Sequence, residues 1–203
     1  MKVIFVSGKA FNGKDTAGEI FKNKLEARGQ KVLVTHYADL LKWMCKNYFG
    51  WNGEKDAAGR SLLQHVGTDV IRAQIPNFWV DWMIQLLRLF PKEWDFVIIP
   101  DARFPNEIEV LENEFQSNSD DIFTGVYHFR VERTNFVSPL TEEQQNHPSE
   151  KALDRFGYDR KLMNTTIEDL ESQIEKVIVD YFDTDIDFYK CYKNSTEERS
   201  DRN

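Results

Sequence analysis

Lys2-Val-Ile-Phe-Val-Ser7-Gly8-Lys-Ala-Phe-Asn-Gly13-Lys14-Asp15-Thr16 is the stretch that decides how the chain folds. Its first half is an apolar run of strand length without polar alternation, the pattern of a strand buried on both faces of a parallel sheet. Its second half has the spacing G-x-x-x-x-G-K and runs into a helical pattern over Thr16 to Arg28. A glycine-bearing loop between a buried strand and a helix can fold its backbone N–H groups around phosphates, and the helix N-terminus adds positive potential. Gly8, Lys9, Asn12, Gly13, Lys14, Asp15 and Thr16 are therefore the candidate phosphate-binding residues, with Lys14 able to reach β- and γ-phosphates. The hydroxyl that usually follows the lysine comes one position late, at Thr16, with Asp15 in its place. Asp15 either favours the helix N-terminus through the dipole or holds magnesium-bound water.

Outward from this unit, Gly29 is a plausible helix C-cap and Lys31 to Tyr37 reads as a second strand. A crossover helix joining the first two strands implies that they pair in parallel. Asp39 to Phe90 is mainly helical, broken at Ile75-Pro76-Asn77 because proline disfavours helical geometry before it. Phe96 to Ile99 and Gly125 to Val131 read as strands, and Arg160 to Met163 as a short fifth one. A polar segment runs from Glu132 to Glu150, and a last helix covers Ile167 to Phe182 with Thr166 and Asp169 spaced as a capping pair. Alternating elements of this kind predict a three-layer α/β/α domain.

The expected organisation is one domain over residues 1–190, with a helical region at 38–94 and a polar insert at 132–152. Residues 191–203 form an expected disordered tail, since Asn194 to Asn203 holds no large apolar residue. A net charge of -8 argues against a broad nucleic-acid surface, which needs many cations, while a small anionic substrate remains compatible with locally converging arginines. Cys45 and Cys191 lack the spacing of a zinc site or redox pair, which fits a reducing, cytoplasmic setting. No apolar stretch reaches the length of a membrane span, so no membrane partner is expected.

Further candidates follow from position. Asp101 stands past the strand Phe96 to Ile99, at the sheet edge where open α/β folds bind ligands, and could hold Mg²⁺ or its waters; equally, it could cap a turn and pair with Arg103. Arg103 could grip a phosphate through its planar fork of donors, whereas Arg72, on the helical segment before Pro76, reads by position alone as a solvated helix charge. Asp39 and Lys42 follow the second strand, Asp39 either touching ligand or capping a helix. Phe78, Trp79 and Trp82 could stack on a base, although aromatics at helical spacing are more often core. Arg130 and Arg133 flank the exit of the fourth strand, as transition-state cations or as partners of nearby acids, and His147 before Pro148 reads as structural.

Five motifs taken together carry a resemblance: Ser7-Gly-Lys-Ala-Phe-Asn-Gly-Lys-Asp-Thr16, Tyr37-Ala-Asp-Leu-Leu-Lys42, Gly67-Thr-Asp69 with Arg72, Pro100-Asp-Ala-Arg-Phe-Pro-Asn-Glu107, and His147-Pro-Ser-Glu150. Over roughly residues 1–180 the chain resembles the deoxynucleoside monophosphate kinases found in bacteriophages. The resemblance implies a P-loop kinase fold with a mainly parallel sheet of about five strands and a mobile lid. It implies transfer of the γ-phosphate of ATP to a deoxynucleoside monophosphate (dNMP) in the host cytoplasm, without stable nucleic-acid partners and with a homodimer left open. Lys14, Asp101, Arg130 and Arg133 would then be catalytic, the loop residues Gly8 to Thr16 would bind ATP, and Asp39, Lys42, Arg72, Trp79 and Arg103 would bind the dNMP. Mg²⁺ would sit near Thr16 and Asp101, directly or through water. Dephospho-coenzyme A kinase and phosphomevalonate kinase are the nearest alternatives, and a nucleotide-hydrolysing switch or motor is the alternative of another class.

Overall fold

A computed structural model describes residues 1–117 and 122–183; the expected disordered tail and Cys191 lie outside the described residues. Strand β1 (Lys2–Ser7) is buried along its whole length. Its odd and even residues serve different layers, as the two-residue period of a strand requires. Ile4 and Val6 pack with Phe21 and Leu25 of α1 (Lys14–Glu26) and Ile174 and Val177 of α8 (Ile167–Ile178). Val3 and Phe5 pack with Val80 and Met83 of α4 (Phe78–Leu89) and Ile108 of α5 (Pro105–Ser117). The result is the expected α/β/α sandwich around a mainly parallel sheet.

The sheet also contains β2 (Val32–Val34), β3 (Phe96–Ile99), β4 (Gly125–Arg133) and β5 (Arg160–Asn164), in the order β2-β3-β1-β4-β5 with every pairing parallel. The expected pairing of the first two strands is corrected here, because β3 lies between β1 and β2. Phe96–Ile99 is buried throughout and belongs in the interior of the sheet, whereas Val32–Val34 is only half-buried and takes the edge. Chain order therefore reverses beside β1. The crevice beyond the carboxyl ends of β1 and β3 is where such sheets bind ligands.

β2 is shorter than its apolar run. Tyr37 leaves the strand to start α2 (Ala38–Tyr48), its ring buried and its hydroxyl donating to the Glu107 carbonyl oxygen at 2.8 Å. The helical region breaks at Pro76 as expected, and also between α2 and α3 (Ala57–Gln64), where Gly50 and Gly53 take left-handed backbone and Asp56 caps the next helix by accepting from Gly59 N–H at 2.7 Å. α3 continues as a π-helical stretch, His65–Arg72, a form that recurs near functional sites. The polar segment after β4 carries two short helices, α6 (Glu142–Asn146) and α7 (Pro148–Lys151). α8 is capped by Thr166, which accepts from Asp169 N–H, and ends in a π turn over Val179–Asp183. No helix among the described residues is long and apolar enough to cross a membrane.

Two glycines are needed where the loop after β1 meets its neighbours. A β-carbon on Gly8 would stand 2.3 Å from the Val131 carbonyl oxygen, and one on Gly13 would stand 2.3 Å from Asn164 Nδ2. Gly8 (φ 147°) therefore tolerates no side chain, whereas Gly29 (φ 77°) has nothing within 4 Å of the same position. Gly29→Ala should cost about 1–2 kcal/mol from left-handed backbone alone. Gly8→Ala should cost roughly 2–5 kcal/mol, since a collision with backbone is added to the strain. Urea unfolding of the two variants measures the gap, and equal losses would show that the loop does not press on β4.

Candidate active site

A cleft of about 770 Å³ opens at the carboxyl ends of β1 and β3. Gly13, Lys14 and Thr16 form one wall, Leu41, Gln64, Thr68 and Arg72 the facing one, and Asp101, Arg103 and Glu107 lie at its base. Lys14 is buried, and its ammonium donates to the Lys9 carbonyl oxygen at 2.9 Å. Burial, and then the neighbouring Arg103 cation, bring its pKa down to about 8 against the opposing pull of Glu150, Asp15 and Asp101. A buried cation held near a second, partly exposed one is costly, and an anionic ligand between them would offset that cost.

The other loop residues divide. Lys9 turns away from the cleft, donating to the Glu150 carbonyl oxygen at 2.6 Å and to Asp154 at 2.7 Å. Asn12 donates to the Val131 carbonyl oxygen at 3.4 Å, while its own carbonyl accepts from Asn164 Nδ2 at 2.9 Å. Gly8 faces a small recess shared with Lys9 and Arg130. The Lys9 and Asn12 side chains, expected to hold ATP directly, are instead engaged by the framework around the loop.

Asp15 is exposed and pairs with His36, Oδ1 to Nε2 at 3.2 Å; this hydrogen bond lowers the Asp15 pKa and raises that of His36. Asp101 accepts Tyr37 N–H at 2.9 Å and Ala38 N–H at 3.0 Å, so its carboxylate caps α2 while still lining the cleft. It caps a helix rather than the turn before Pro105. Asp39 does not line the cleft, since it accepts from His36 N–H at 3.1 Å and pairs with Lys42 at 3.0 Å; Lys42 does line it. Among the described residues no three His, Cys, Asp or Glu side chains converge as a metal cluster. Thr16 and Asp101 still suit Mg²⁺, which keeps several waters and takes few protein ligands when phosphates are present.

Arg72 is not a solvated charge. Its guanidinium pairs with Glu107, donates to Asn106 Oδ1 at 2.9 Å, and lies 4.0 Å from the Phe104 ring centroid. Glu107 is buried, and desolvation outweighs Arg72 and two backbone donors, holding its pKa at about 7. Arg103 pairs with Glu150 and keeps its side chain 38% exposed, leaving the rest of its fork free for a phosphate. Trp79 touches the cleft but is 4% exposed, with its indole N–H on the Gly67 carbonyl oxygen at 3.1 Å, and so belongs to the core with Phe78 and Trp82.

Arg130 does not face the cleft. It is buried, donating to the Leu153 carbonyl oxygen at 2.7 Å, to Asp154 at 3.3 Å and to Glu132 at 3.2 Å. Strand alternation accounts for this: in the β1 pairing Arg130 lies opposite Ser7, below the rim, while Arg133 at the strand end reaches the cleft. His147 caps α7, accepting Ser149 N–H on Nδ1 at 3.2 Å, which is a structural role as expected. Reading the sequence by position did not single out Glu107, Glu150, Arg60, Gln64 or Thr68. The two glutamates close motifs quoted above, whereas Arg60 and Gln64 carry no local signal and are brought in only by the path of α3.

No family model matches the chain. Over 204 residues it is 28% identical to a protein of Acanthamoeba polyphaga mimivirus named "Putative deoxynucleotide monophosphate kinase", a match covering 86% of this chain and 94% of that protein. Among solved structures, an APS kinase of Mycobacterium tuberculosis aligns with 87% of this chain and 94% of its own at a TM-score of 0.44 and 12% identity. A shikimate kinase from Bacteroides thetaiotaomicron aligns with 87% of this chain and 96% of its own at a TM-score of 0.42 and 14% identity. The resemblance read from the motifs is thus matched by a relative spanning most of the chain.

Because Arg130 satisfies a buried carbonyl, Arg130→Met should lower stability by about 1–3 kcal/mol. Chemical denaturation reads this; an unchanged midpoint would remove Arg130 from the framework. Glu107 supplies a pH signature. Its folded pKa lies above the ordinary value, so the folded state binds its proton more tightly and stability falls as pH rises from about 4.5 to about 7. Glu107→Gln should flatten that part of the stability profile. A variant whose unfolding free energy follows wild type across the window would show that Glu107 is ionised throughout.

Proposed function

We propose that the protein, a phosphotransferase with a P-loop kinase fold, transfers the γ-phosphoryl group of ATP to a deoxynucleoside 5′-monophosphate. The observation that carries this reading is that one cleft holds Lys14 of the phosphate loop beside a half-exposed Arg103 and a facing wall with Leu41, Gln64 and Thr68. A triphosphate held by the loop needs no second polar wall, whereas an acceptor nucleotide needs both an anion site and a surface for its base. The cleft volume lies in the upper part of the range for small-molecule sites.

In this reading the loop N–H groups and Lys14 bind the β- and γ-phosphates, with Gly13 allowing the close approach. Arg103 holds the acceptor phosphate, oriented by Glu150, while Arg72 and Lys42 line the acceptor side. Mg²⁺, held by Thr16 and Asp101 directly or through water, would neutralise phosphate charge. Arg133 supplies the cation from the end of β4. A general base is not required, because a monophosphate with a second pKa near 6 is already mostly ionised at neutral pH. Closing the cleft excludes water, which is what separates transfer from hydrolysis.

Product analysis tests the reading. With ATP and Mg²⁺, ADP formation should be slow alone and rise sharply with the right dNMP, giving one dNDP per ADP. The screen should include dephospho-coenzyme A and phosphomevalonate, either of which would rename the acceptor if it turned over. ADP and inorganic phosphate in equal amounts, unchanged by every acceptor offered, would leave only a nucleotide-hydrolysing protein.

A further inference from the structure

Three segments far apart in sequence meet at the mouth of the cleft through rings and guanidinium groups. Phe11, in the phosphate loop, is 43% exposed. The guanidinium carbon of Arg60, on α3, lies 5.1 Å from its ring centroid, and the Phe136 ring centroid lies 6.4 Å away at an interplanar angle of 41°. Arg133 in turn places its guanidinium 4.9 Å from the Phe136 ring. Among the described residues, the non-glycine positions with positive φ are Phe11 (64°) and Asn135 (52°). Phe11 belongs to this chain of contacts, and Asn135 immediately precedes Phe136. Asparagine tolerates left-handed backbone, but a bulky phenylalanine there is disfavoured unless its surroundings hold it. A phosphate nest uses left-handed backbone to turn successive N–H groups inward, so the backbone at Phe11 serves the loop's own task, but the exposed ring is not explained by it.

Arg60 and Arg133 both line the cleft and have no carboxylate partner among the described residues. The rings of Phe11 and Phe136 each present a π-face to one of them, which favours the cation there without neutralising it. Bringing two unneutralised guanidinium groups to one rim becomes favourable when an anionic nucleotide lies beneath them. We propose that Phe11 is a positioning residue whose ring clasps Arg60 of α3 and Phe136 of the segment after β4, so that this segment closes over the cleft in step with the acceptor wall. The consequence for transfer rests on the kinase reading above; the clasp itself does not.

The decisive variant is Phe11→Gly, because glycine adopts a φ of 64° without strain and removes only the ring. Phe11→Tyr keeps the ring. With ATP, Mg²⁺ and dNMP, wild type should make one dNDP per ADP. Phe11→Gly should transfer about tenfold more slowly and release inorganic phosphate beside dNDP, with its KM for ATP within about twofold of wild type, because closure rather than triphosphate binding is impaired. Phe11→Tyr should restore the coupling. A glycine variant matching wild type in rate and stoichiometry, or a tyrosine variant failing like glycine, overturns the positioning role. Glutamate-specific proteolysis without nucleotide tests the clasp separately. Cleavage after Glu142 and Glu143 should be at least about threefold faster in Phe11→Gly, because opening of the segment governs access. Equal cleavage overturns the clasp whatever the activity. Faster cleavage in a protein whose wild type phosphorylates no monophosphate would support the clasp and sink the monophosphate-acceptor reading.

Discussion

Burial of β1 along its full length on both faces is the constraint from which the rest of the structure follows. A strand with no route to water must have all its backbone groups paired within the protein, and here β3 and β4 supply the partners on either side. Helical layers must then cover both faces, which gives α1 and α8 one side and α4 and α5 the other. The loop leaving β1 consequently emerges at the centre of the sheet edge. It lies between the ends of β3, which bring Asp101 and Arg103, and of β4, which bring Arg133.

At that edge the electrostatics are unbalanced in one direction. Lys14 is stripped of water and placed near Arg103, and its proton is held less tightly as a result. Glu150 moderates this arrangement. Its carboxylate accepts Ala10 N–H at 2.9 Å and pairs with Arg103, tying the phosphate loop to the segment that returns from β4. Glu107 has a similar part at the cleft base, where it orients Arg72 and accepts the Arg103 N–H at 2.6 Å. Two carboxylates that bind no phosphate themselves thus set the direction of two arginines that can.

The site was legible where one contiguous stretch performs one physical task. The spacing from Gly8 to Lys14 after a buried strand announces a phosphate loop because backbone N–H groups, glycine freedom and a helix start are all local properties. The same locality made the strand Phe96 to Ile99, the break at Pro76 and the cap at Thr166 readable. Arginines were not readable in that way. Arg72, Arg103, Arg130 and Arg133 look alike in sequence, and only the structure sorts them into one paired on the cleft wall, one half-free at its base, one buried in the framework and one at the rim.

The sequence by itself determined the α/β class, the phosphate loop and the strands that frame it, since hydrophobic period, glycine placement and helix caps act over a few residues. The tertiary structure alone decided the order of the strands, which depends on which apolar run is buried deeper. It alone turned Lys9 and Asn12 away from the cleft and brought Arg60 and Phe136 to Phe11. Those outcomes depend on partners far away in the chain, and no local pattern records what a side chain will meet when helices and strands close over it.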